Sequence, residues 1–168
     1  MTTFVSGWYL IYTKPRSEKR VADRLLLGNI EVFLPTTKTL RKWTDRRKLI
    51  EMPLFPSYVF VYLRELQDYY VGLNAEGVLY YVRLGKEIAR VGDTVVQNLR
   101  TFIEKGLDLE VSAQHFLPSQ TVTIKKGPLA GLSCEVVRYK DREKVLVRLS
   151  LLNRCVLADV EVDQLIAI

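Results

Sequence analysis

The feature that most constrains the fold is a change of sequence pattern between residues 107 and 118. Before it, strand-like alternation is interspersed with apolar residues at helical spacing. After it, five short stretches alternate at period two and are separated by turn residues. A chain of 168 residues suits one domain or two small ones. We therefore predict an α+β fold with domains at residues 1–106 and 118–168 and a linker at 107–117.

The first domain is predicted to be an antiparallel sheet flanked by helices. In residues 57–63, aromatic and aliphatic side chains alternate, so Tyr58, Phe60 and Tyr62 should face away from Val59, Val61 and Leu63. The first strand should be central and well covered, since both of its faces are apolar. Periodicity and composition predict helices at 17–27, 66–74 and 92–106, and strands at 4–13, 30–39, 57–63 and 78–84.

The second domain is predicted to be a small, closed, five-stranded barrel without helices. Its many β-branched residues favour strands at all times, so we expect no switch to a helical form. The predicted strands are 121–125, 134–139, 145–149, 155–160 and 164–168.

Several functional classes find no support in the sequence. The N-terminus has no basic start or long apolar run, which predicts a cytoplasmic protein. Cys134 and Cys155 lack metal-site spacing and should be buried, reduced thiols, so no metal or cofactor is expected. His115 is isolated in the predicted linker, as a surface or hinge residue. Without a nucleophile and base, a carboxylate pair or a phosphate-binding glycine loop, the chain is not expected to be an enzyme.

Positive charge is concentrated in residues 1–50, which hold eleven Lys or Arg against four Asp or Glu. Arg16, Arg20 and Arg24 step by four residues along one side of the first helix, as a basic ridge or simply as a solvated face. The segment 41–48, RKWTDRRK, shows no apolar period and is predicted to be an exposed, mobile loop. Trp43 in this loop could stack on a base or anchor the loop to the domain.

The stretch MPLFPSYVFV at 52–61 places much apolar and aromatic surface around Pro53 and Pro56. The prolines keep the approach to the strand extended. On composition alone, the aromatic side chains could be core covered by helices, which is the commoner case, or an open interface.

The C-terminal stretch QTVTIKKGPLAGLSCEVV resembles a KOW motif, with Gly127, Pro128 and Gly131 where that motif turns. Together with GWYLIYTKPRSE and PLFPSYVFV, it makes the chain similar to the bacterial NusG/RfaH family from about Gly7 to Leu165. The resemblance implies a transcription elongation and antitermination factor that bridges the cleft of RNA polymerase and suppresses pausing or termination. The alternative is a ribosome-associated, KOW-type RNA-binding protein.

The resemblance also implies sites on the polymerase. The clamp helices of the largest subunit would contact Tyr12, Phe55, Pro56, Tyr58, Phe60 and Tyr81. The gate loop of the second-largest subunit would contact Tyr69 and Tyr70, which lie before the Asn74-Ala75-Glu76-Gly77 stretch.

Upstream or non-template DNA would bind the basic residues of the first third. The helix ridge would supply Lys14, Arg16, Arg20 and Arg24, and the RKWTDRRK segment would supply Arg41, Lys42, Trp43, Arg46 and Arg47. Some family members have an arginine where this chain has Glu76, which argues against reading a pause sequence at that position.

The KOW domain would recruit a small-subunit ribosomal protein or the termination factor Rho through Leu151, Leu152, Asn153 and Arg154. The SLLNRCV stretch is nearer to RfaH-type paralogues than to the housekeeping factor, which indicates an operon-specialised factor. We expect a monomer without a membrane partner.

Overall fold

The computed structural model describes residues 4–42, 44–119, 121–124, 127 and 129–159, and the backbone of 165 and 166. The chain divides into two compact units, residues 1–93 and 94–168. The units therefore divide before the third helix, whereas the predicted domains divide after it. The predicted domain limits themselves stay a prediction. In the described part of the chain, no helix is long and apolar enough to cross a membrane.

The first unit contains two helices and mainly antiparallel strands, in an alternating order. Its elements are β1 (Gly7–Thr13), α1 (Glu18–Leu27), β2 (Glu31–Phe33), β3 (Thr36–Lys42), β4 (Arg47–Pro53), β5 (Tyr58–Leu63), α2 (Leu66–Asn74), β6 (Val78–Tyr81), β7 (Arg83–Leu84), β8 (Glu87–Ile88) and β9 (Arg90–Val91).

Strand β1 is the centre of the main sheet, as predicted. The strand order is β2-β5-β1-β6, and β9 pairs with the first part of β1 beside β6. All of these pairings are antiparallel. Because β1 has neighbours on both edges, its backbone groups are paired along its length and its two faces define the two faces of the sheet.

One face of this sheet carries the core of the first unit. The predicted aliphatic face of β5 is confirmed, because Val59, Val61 and Leu63 are fully buried. Tyr9 and Ile11 of β1 lie in the same cluster, together with the apolar stripe of α1 formed by Val21, Ala22 and Leu25. The apolar side chains that recur at period two in the strands and at period 3.6 in the helix thus form one core layer between sheet and helix.

The prediction of a loop at 41–48 is wrong for Arg41, Lys42, Arg47 and Lys48, which lie in the strands of a hairpin, whereas the described residues of this segment are exposed as predicted. Strands β3 and β4 pair with each other from Thr36 opposite Pro53 to Lys42 opposite Arg47. The sequence hides this hairpin because its side chains are mostly exposed and charged, so the strands show no apolar alternation. Pairing of their backbone amides, which the side-chain pattern does not report, makes them strands.

The second unit begins with a helix and continues as a six-stranded antiparallel sheet of order β10-β14-β13-β12-β11-β15. Its elements are α3 (Asp93–Glu104), β10 (Leu109–Ser112), β11 (Thr121–Ile124), β12 (Ser133–Tyr139), β13 (Arg142–Leu149), a 3-10 helix (Ser150–Leu152), β14 (Arg154–Asp159) and β15 (Leu165–Ile166).

Part of the segment predicted as a linker, residues 107–117, is a strand of this sheet. Leu109–Ser112 is β10 and pairs with β14, so the five predicted strands are joined by a sixth. Four residues are too short a run for its alternation to stand out in the sequence. His115 lies beyond β10 and is exposed, as expected.

A charged pair ties the end of the linker segment to this sheet. Glu135 on β12 accepts two hydrogen bonds from the Arg148 guanidinium on β13, at 2.6 and 2.8 Å. Arg148 also donates to the carbonyl oxygens of Phe116 and Leu117, and the Ser119 amide donates to Glu135. The hydrogen bonds from Arg148 and Ser119 outweigh burial and lower the pKa of Glu135.

The Glu135→Gln variant removes this charge while keeping the side-chain shape. We expect the free energy of unfolding at neutral pH to fall by about 1.5–3 kcal/mol, the usual value for a hydrogen bond to a charged group. Because folding lowers the pKa of Glu135, its stabilising effect is present above the unfolded pKa of about 4.3 and is lost as the pH falls through the folded value. The difference between wild type and variant should therefore shrink in acid. Urea unfolding followed by circular dichroism across this pH range measures it.

Asp141→Asn is the matched control for this variant. Asp141 pairs with Arg138 at 3.9 Å on the exposed β12–β13 turn, where an ion pair adds little stability. Its φ of 61° is one that Asn tolerates. Unchanged stability of Asp141→Asn with a clear loss for Glu135→Gln is expected, and equal stability of both variants at neutral pH would contradict the assigned role of the pair.

Candidate functional site

Three tyrosines from adjacent strands meet on the sheet face opposite the α1 core. Tyr12 of β1 stands opposite Tyr58 of β5 on one side and opposite Tyr80 of β6 on the other. The Tyr12 ring lies 5.1 Å from the Tyr58 ring and 5.0 Å from the Tyr80 ring, measured between centroids. Tyr80 is 50% exposed, and Tyr12 and Tyr58 are half-buried. We call these three residues the tyrosine cluster.

Tyr81, one of the predicted clamp contacts, does not lie on this face. It stands opposite Ile11, is 2% exposed and packs in the α1 core. Its ring stacks on Tyr69, and its hydroxyl donates to the Tyr69 carbonyl oxygen at 3.2 Å. Burial raises the pKa of Tyr81. Sequence reasoning missed Tyr80, although alternation along β6 places Tyr80 on the face opposite Tyr81.

The other predicted clamp residues are two buried phenylalanines and an exposed proline beside the tyrosine cluster. Phe60 is fully buried and Phe55 is 4% exposed, and their ring centroids lie 6.1 Å apart. Pro56 is exposed in the turn that leads into Tyr58. In this arrangement Phe55 and Phe60 are packed inside the domain, while Pro56 and the tyrosines are accessible to a partner.

The turn that carries Pro56 is held by helix α1. Ser57 has a φ of 68°, which is uncommon for a residue other than glycine. Its amide donates to the carboxylate of Glu18 at 2.7 Å, and its carbonyl oxygen accepts from the Thr13 amide at 2.8 Å. Glu18, which is 7% exposed, therefore fixes the direction of the strand that begins at Tyr58. Sequence reasoning missed this residue, because a glutamate in the first turn of a helix normally reads as a solvated charge.

The predicted gate-loop residues lie side by side on α2. Tyr70 is 50% exposed and meets the half-buried Tyr69 edge-on, at 5.2 Å between centroids. Tyr69 also lines a groove of about 610 Å³ with the cations Arg83, Lys86 and Arg90. Sequence reasoning missed these three, which lie close together in the chain, on or between the short strands β7, β8 and β9.

The predicted basic ridge on α1 is shorter than the sequence indicated, because α1 begins at Glu18 and both Lys14 and Arg16 precede it, Arg16 with a non-helical φ of 61°. Lys14, Arg16 and Arg20 are exposed and, among the described residues, form no ion pair. Arg24 differs, because it lies 2.6 Å from the carboxylate of Glu76 and donates to the Glu76 carbonyl oxygen at 2.8 Å. Glu76 thus forms an ion pair with Arg24, the last arginine of the ridge.

The β3–β4 hairpin presents a second set of cations. Arg41, Lys42, Arg46 and Arg47 are all exposed, and so is Lys48. The predicted stacking residue, Trp43, lies outside the described residues. The hairpin and the ridge are connected by an ion pair of 3.1 Å between Lys19 of α1 and Glu51 of β4.

In the second unit, the predicted turn and partner residues lie in two connections of the sheet. Gly127 and Gly131 have φ values of 84° and 88°, which favour glycine, and Pro128 lies outside the described residues. Leu151 and Leu152 are half-buried in the 3-10 helix between β13 and β14, and Asn153 follows in the left-handed conformation. Arg154 is exposed, and its guanidinium donates to the Asn153 carbonyl oxygen at 3.0 Å.

The cysteines of this unit are buried and reduced, as predicted. Burial raises the pKa of the Cys134 thiol to about 11 and also raises the pKa of Cys155. Such thiols stay protonated and unreactive at neutral pH. No group of His, Cys, Asp and Glu side chains that could hold a metal ion occurs in the part of the chain that the structure describes.

The chain is similar to several proteins of known structure. The solved structure "Domain interaction in Thermotoga maritima NusG" is 20% identical, with 96% of each chain covered and a TM-score of 0.48. Two structures of the MjSpt4:Spt5 complex, conformations A and B, are 12% and 13% identical. They cover 91% and 92% of this chain and 99% of their own, with TM-scores of 0.35 and 0.34.

The family comparison is more direct. Residues 6–100 match the protein family described as "Transcription termination factor nusG". These residues include the whole main sheet, the tyrosine cluster, the basic ridge and the β3–β4 hairpin. Because this match spans more than half of the chain, the protein belongs to the NusG family of transcription factors.

Proposed function

We propose that this protein is a transcription elongation and antitermination factor that binds RNA polymerase across its cleft. The observation that carries the proposal is the tyrosine cluster, an open aromatic surface on the sheet face opposite the buried core. Exposed apolar surface of this kind marks an interaction site, and tyrosine is among the residues that dominate such sites. Membership of a family of non-enzymatic transcription factors supports a binding role.

The cluster suits a helical protein partner such as the polymerase clamp helices. Each tyrosine has few rotatable bonds, so little conformational entropy is lost when it is covered. The buried Phe55 and Phe60 lie beside the cluster, and the exposed Pro56 extends the apolar surface. The exposed Tyr70 on α2 provides the contact with the gate loop, so one protein touches both sides of the cleft. Bridging the cleft stabilises the closed clamp and disfavours paused or terminating states.

The free cations of the ridge and hairpin hold nucleic acid next to this interface. Lys14, Arg16 and Arg20 contact phosphates of upstream or non-template DNA, together with the hairpin arginines and lysines. Such contacts position the protein and carry no sequence information by themselves.

The second unit acts as an SH3-like KOW domain that recruits a small-subunit ribosomal protein or Rho. The half-buried Leu151 and Leu152, followed by exposed Asn153 and Arg154, provide an apolar contact with a polar rim. The protein acts in the cytoplasm as a monomer, in an operon-specialised role.

Retention of purified RNA polymerase by the immobilised protein tests the interface. The Tyr80→Ala variant should weaken polymerase binding about tenfold or more, since an anchoring aromatic contributes at least 1–2 kcal/mol. Tyr80 is half-exposed, so its removal should leave the fold intact, which circular dichroism checks. Leu27→Ala is the control, because Leu27 is 86% exposed on α1, outside the cluster.

The two variants separate a specific interface from general apolar adhesion. We expect normal retention by Leu27→Ala and loss by Tyr80→Ala. Equal retention by both variants would show that the tyrosine cluster is not the polymerase contact, and retention of ribosomal RNA without polymerase would favour the RNA-binding alternative.

Glu76 should limit the DNA affinity of the basic ridge. The Glu76→Gln variant frees Arg24 for a phosphate, so affinity for duplex DNA should rise and the plot of log K against log salt should steepen by about one unit. Fluorescence anisotropy over a series of salt concentrations measures both quantities.

Glu104→Gln is the charge-matched control for Glu76→Gln. It removes one exposed carboxylate at the end of α3 without releasing an arginine. If both variants gain the same affinity, net charge rather than Arg24 accounts for the effect. The Arg24→Gln change should abolish the gain of Glu76→Gln in the double variant.

A further inference from the structure

Two solvent-exposed leucines form a cross-strand pair on the β3–β4 hairpin. Leu40 and Leu49 stand directly opposite each other, and their side chains are 55% and 56% exposed. In the described residues the hairpin is a two-stranded sheet that pairs with no other strand. Packing in a core therefore does not account for an apolar pair at this place, and its exposure needs another reason.

Positive charge surrounds this apolar pair. Alternation places Lys42 and Arg47, two positions nearer the tip, on the same face as the leucines, while the intervening pair, Arg41 and Lys48, occupies the other face. All four side chains are exposed. The ribbon thus carries cations on both faces and an apolar contact on one.

The acidic residues of the hairpin do little to offset this charge. Residues 36–53 contain six Lys or Arg and only two acidic residues, Asp45 and Glu51. Glu51 accepts a hydrogen bond from Thr36 at 2.6 Å and pairs with Lys19 at 3.1 Å. These contacts lower the pKa of Glu51 and direct its charge towards α1.

A duplex nucleic acid matches both properties of the ribbon. It offers phosphates at the groove edges and apolar base faces between its steps. Strands of DNA-binding proteins enter either the major or the minor groove, and apolar side chains of minor-groove binders wedge between base steps and kink the duplex. Phosphate binding alone does not explain the exposed leucine pair.

We propose that the β3–β4 hairpin is a DNA-bending arm that lies in the minor groove and wedges Leu40 and Leu49 against a base step. This inference rests on the nucleic-acid part of the proposed function and defines its mode. The cations supply salt-dependent affinity, whereas the leucines supply a salt-independent preference for duplexes that bend easily, such as those with a pyrimidine–purine step.

The test uses the full chain and a short DNA duplex with a central TA step. One copy carries a donor and an acceptor dye at its ends, and another carries 2-aminopurine at the step. The wild-type protein should raise energy transfer by bending the duplex and should raise 2-aminopurine fluorescence by unstacking the base.

Two double variants separate the wedge from the charge. The Leu40→Thr/Leu49→Thr variant keeps strand propensity and should lose both signals, with about tenfold lower affinity and an unchanged salt slope. The Lys42→Gln/Arg47→Gln variant should reduce the salt slope by about two units and still bend the DNA when saturated. Leu84→Thr is the control, since Leu84 is 74% exposed on another hairpin.

Each other outcome counts against the wedge. Full bending by the leucine variant would mean that only phosphates are bound. Loss of polymerase retention in the leucine variant would make the pair a protein contact, and binding to anionic phospholipid vesicles in preference to the duplex would make it a membrane contact. If the wild type binds no duplex but retains polymerase, the wedge and the DNA part of the proposed function fail while the polymerase interface stands.

Discussion

The register of β1 against its two neighbours decides which aromatic side chains the first unit buries and which it leaves open. Tyr12 faces Tyr58 and Tyr80 on one side of the sheet, while Ile11 faces Val59 and Tyr81 on the other. Because side chains alternate at period two, a slip of one residue would exchange the two sets. Burial of the aliphatic face against α1 allows only this register. The core on one face of the sheet therefore determines which tyrosines lie on the other face.

Helix α1 supports this arrangement through its polar side as well. Glu18 holds the turn before β5, Lys19 pairs with the β3–β4 hairpin, and Arg24 pairs with Glu76 after α2. In the sequence these residues are simply charged positions of one helix, yet each binds a different segment. Their roles follow from which loops pass over the helix, and charge spacing alone cannot report that. Among the described residues, Arg20 of α1 and the preceding Lys14 and Arg16 form no such ion pair and stay exposed.

The parts of the fold that bury apolar surface could be predicted from the sequence, because burial imposes a period. All three helices, the central strand and the aliphatic face of β5 were predicted in this way. The β3–β4 hairpin and β10 were not, since one is exposed and the other is four residues long. At the candidate site, the family resemblance pointed to Tyr12 and Tyr58, and the same period placed Tyr58 on the aromatic face of β5. The period was not followed through β6, where it separates Tyr80 from Tyr81. The domain limits and the functional roles of the site residues stay predictions.

The two open apolar surfaces of the first unit are supported differently, which bears on what each can bind. The tyrosine cluster rests on a five-stranded sheet with a packed core on its other side and buried phenylalanines beside it. Its shape is set before binding, as a contact with a rigid helical partner requires. The leucine pair lies on a two-stranded ribbon, which depends on few neighbours for its shape. A ribbon can follow a groove whose width varies with sequence, whereas a braced sheet face cannot. The proposed assignment of a protein contact to the sheet and a nucleic-acid contact to the hairpin therefore rests on how much packing lies beneath each surface.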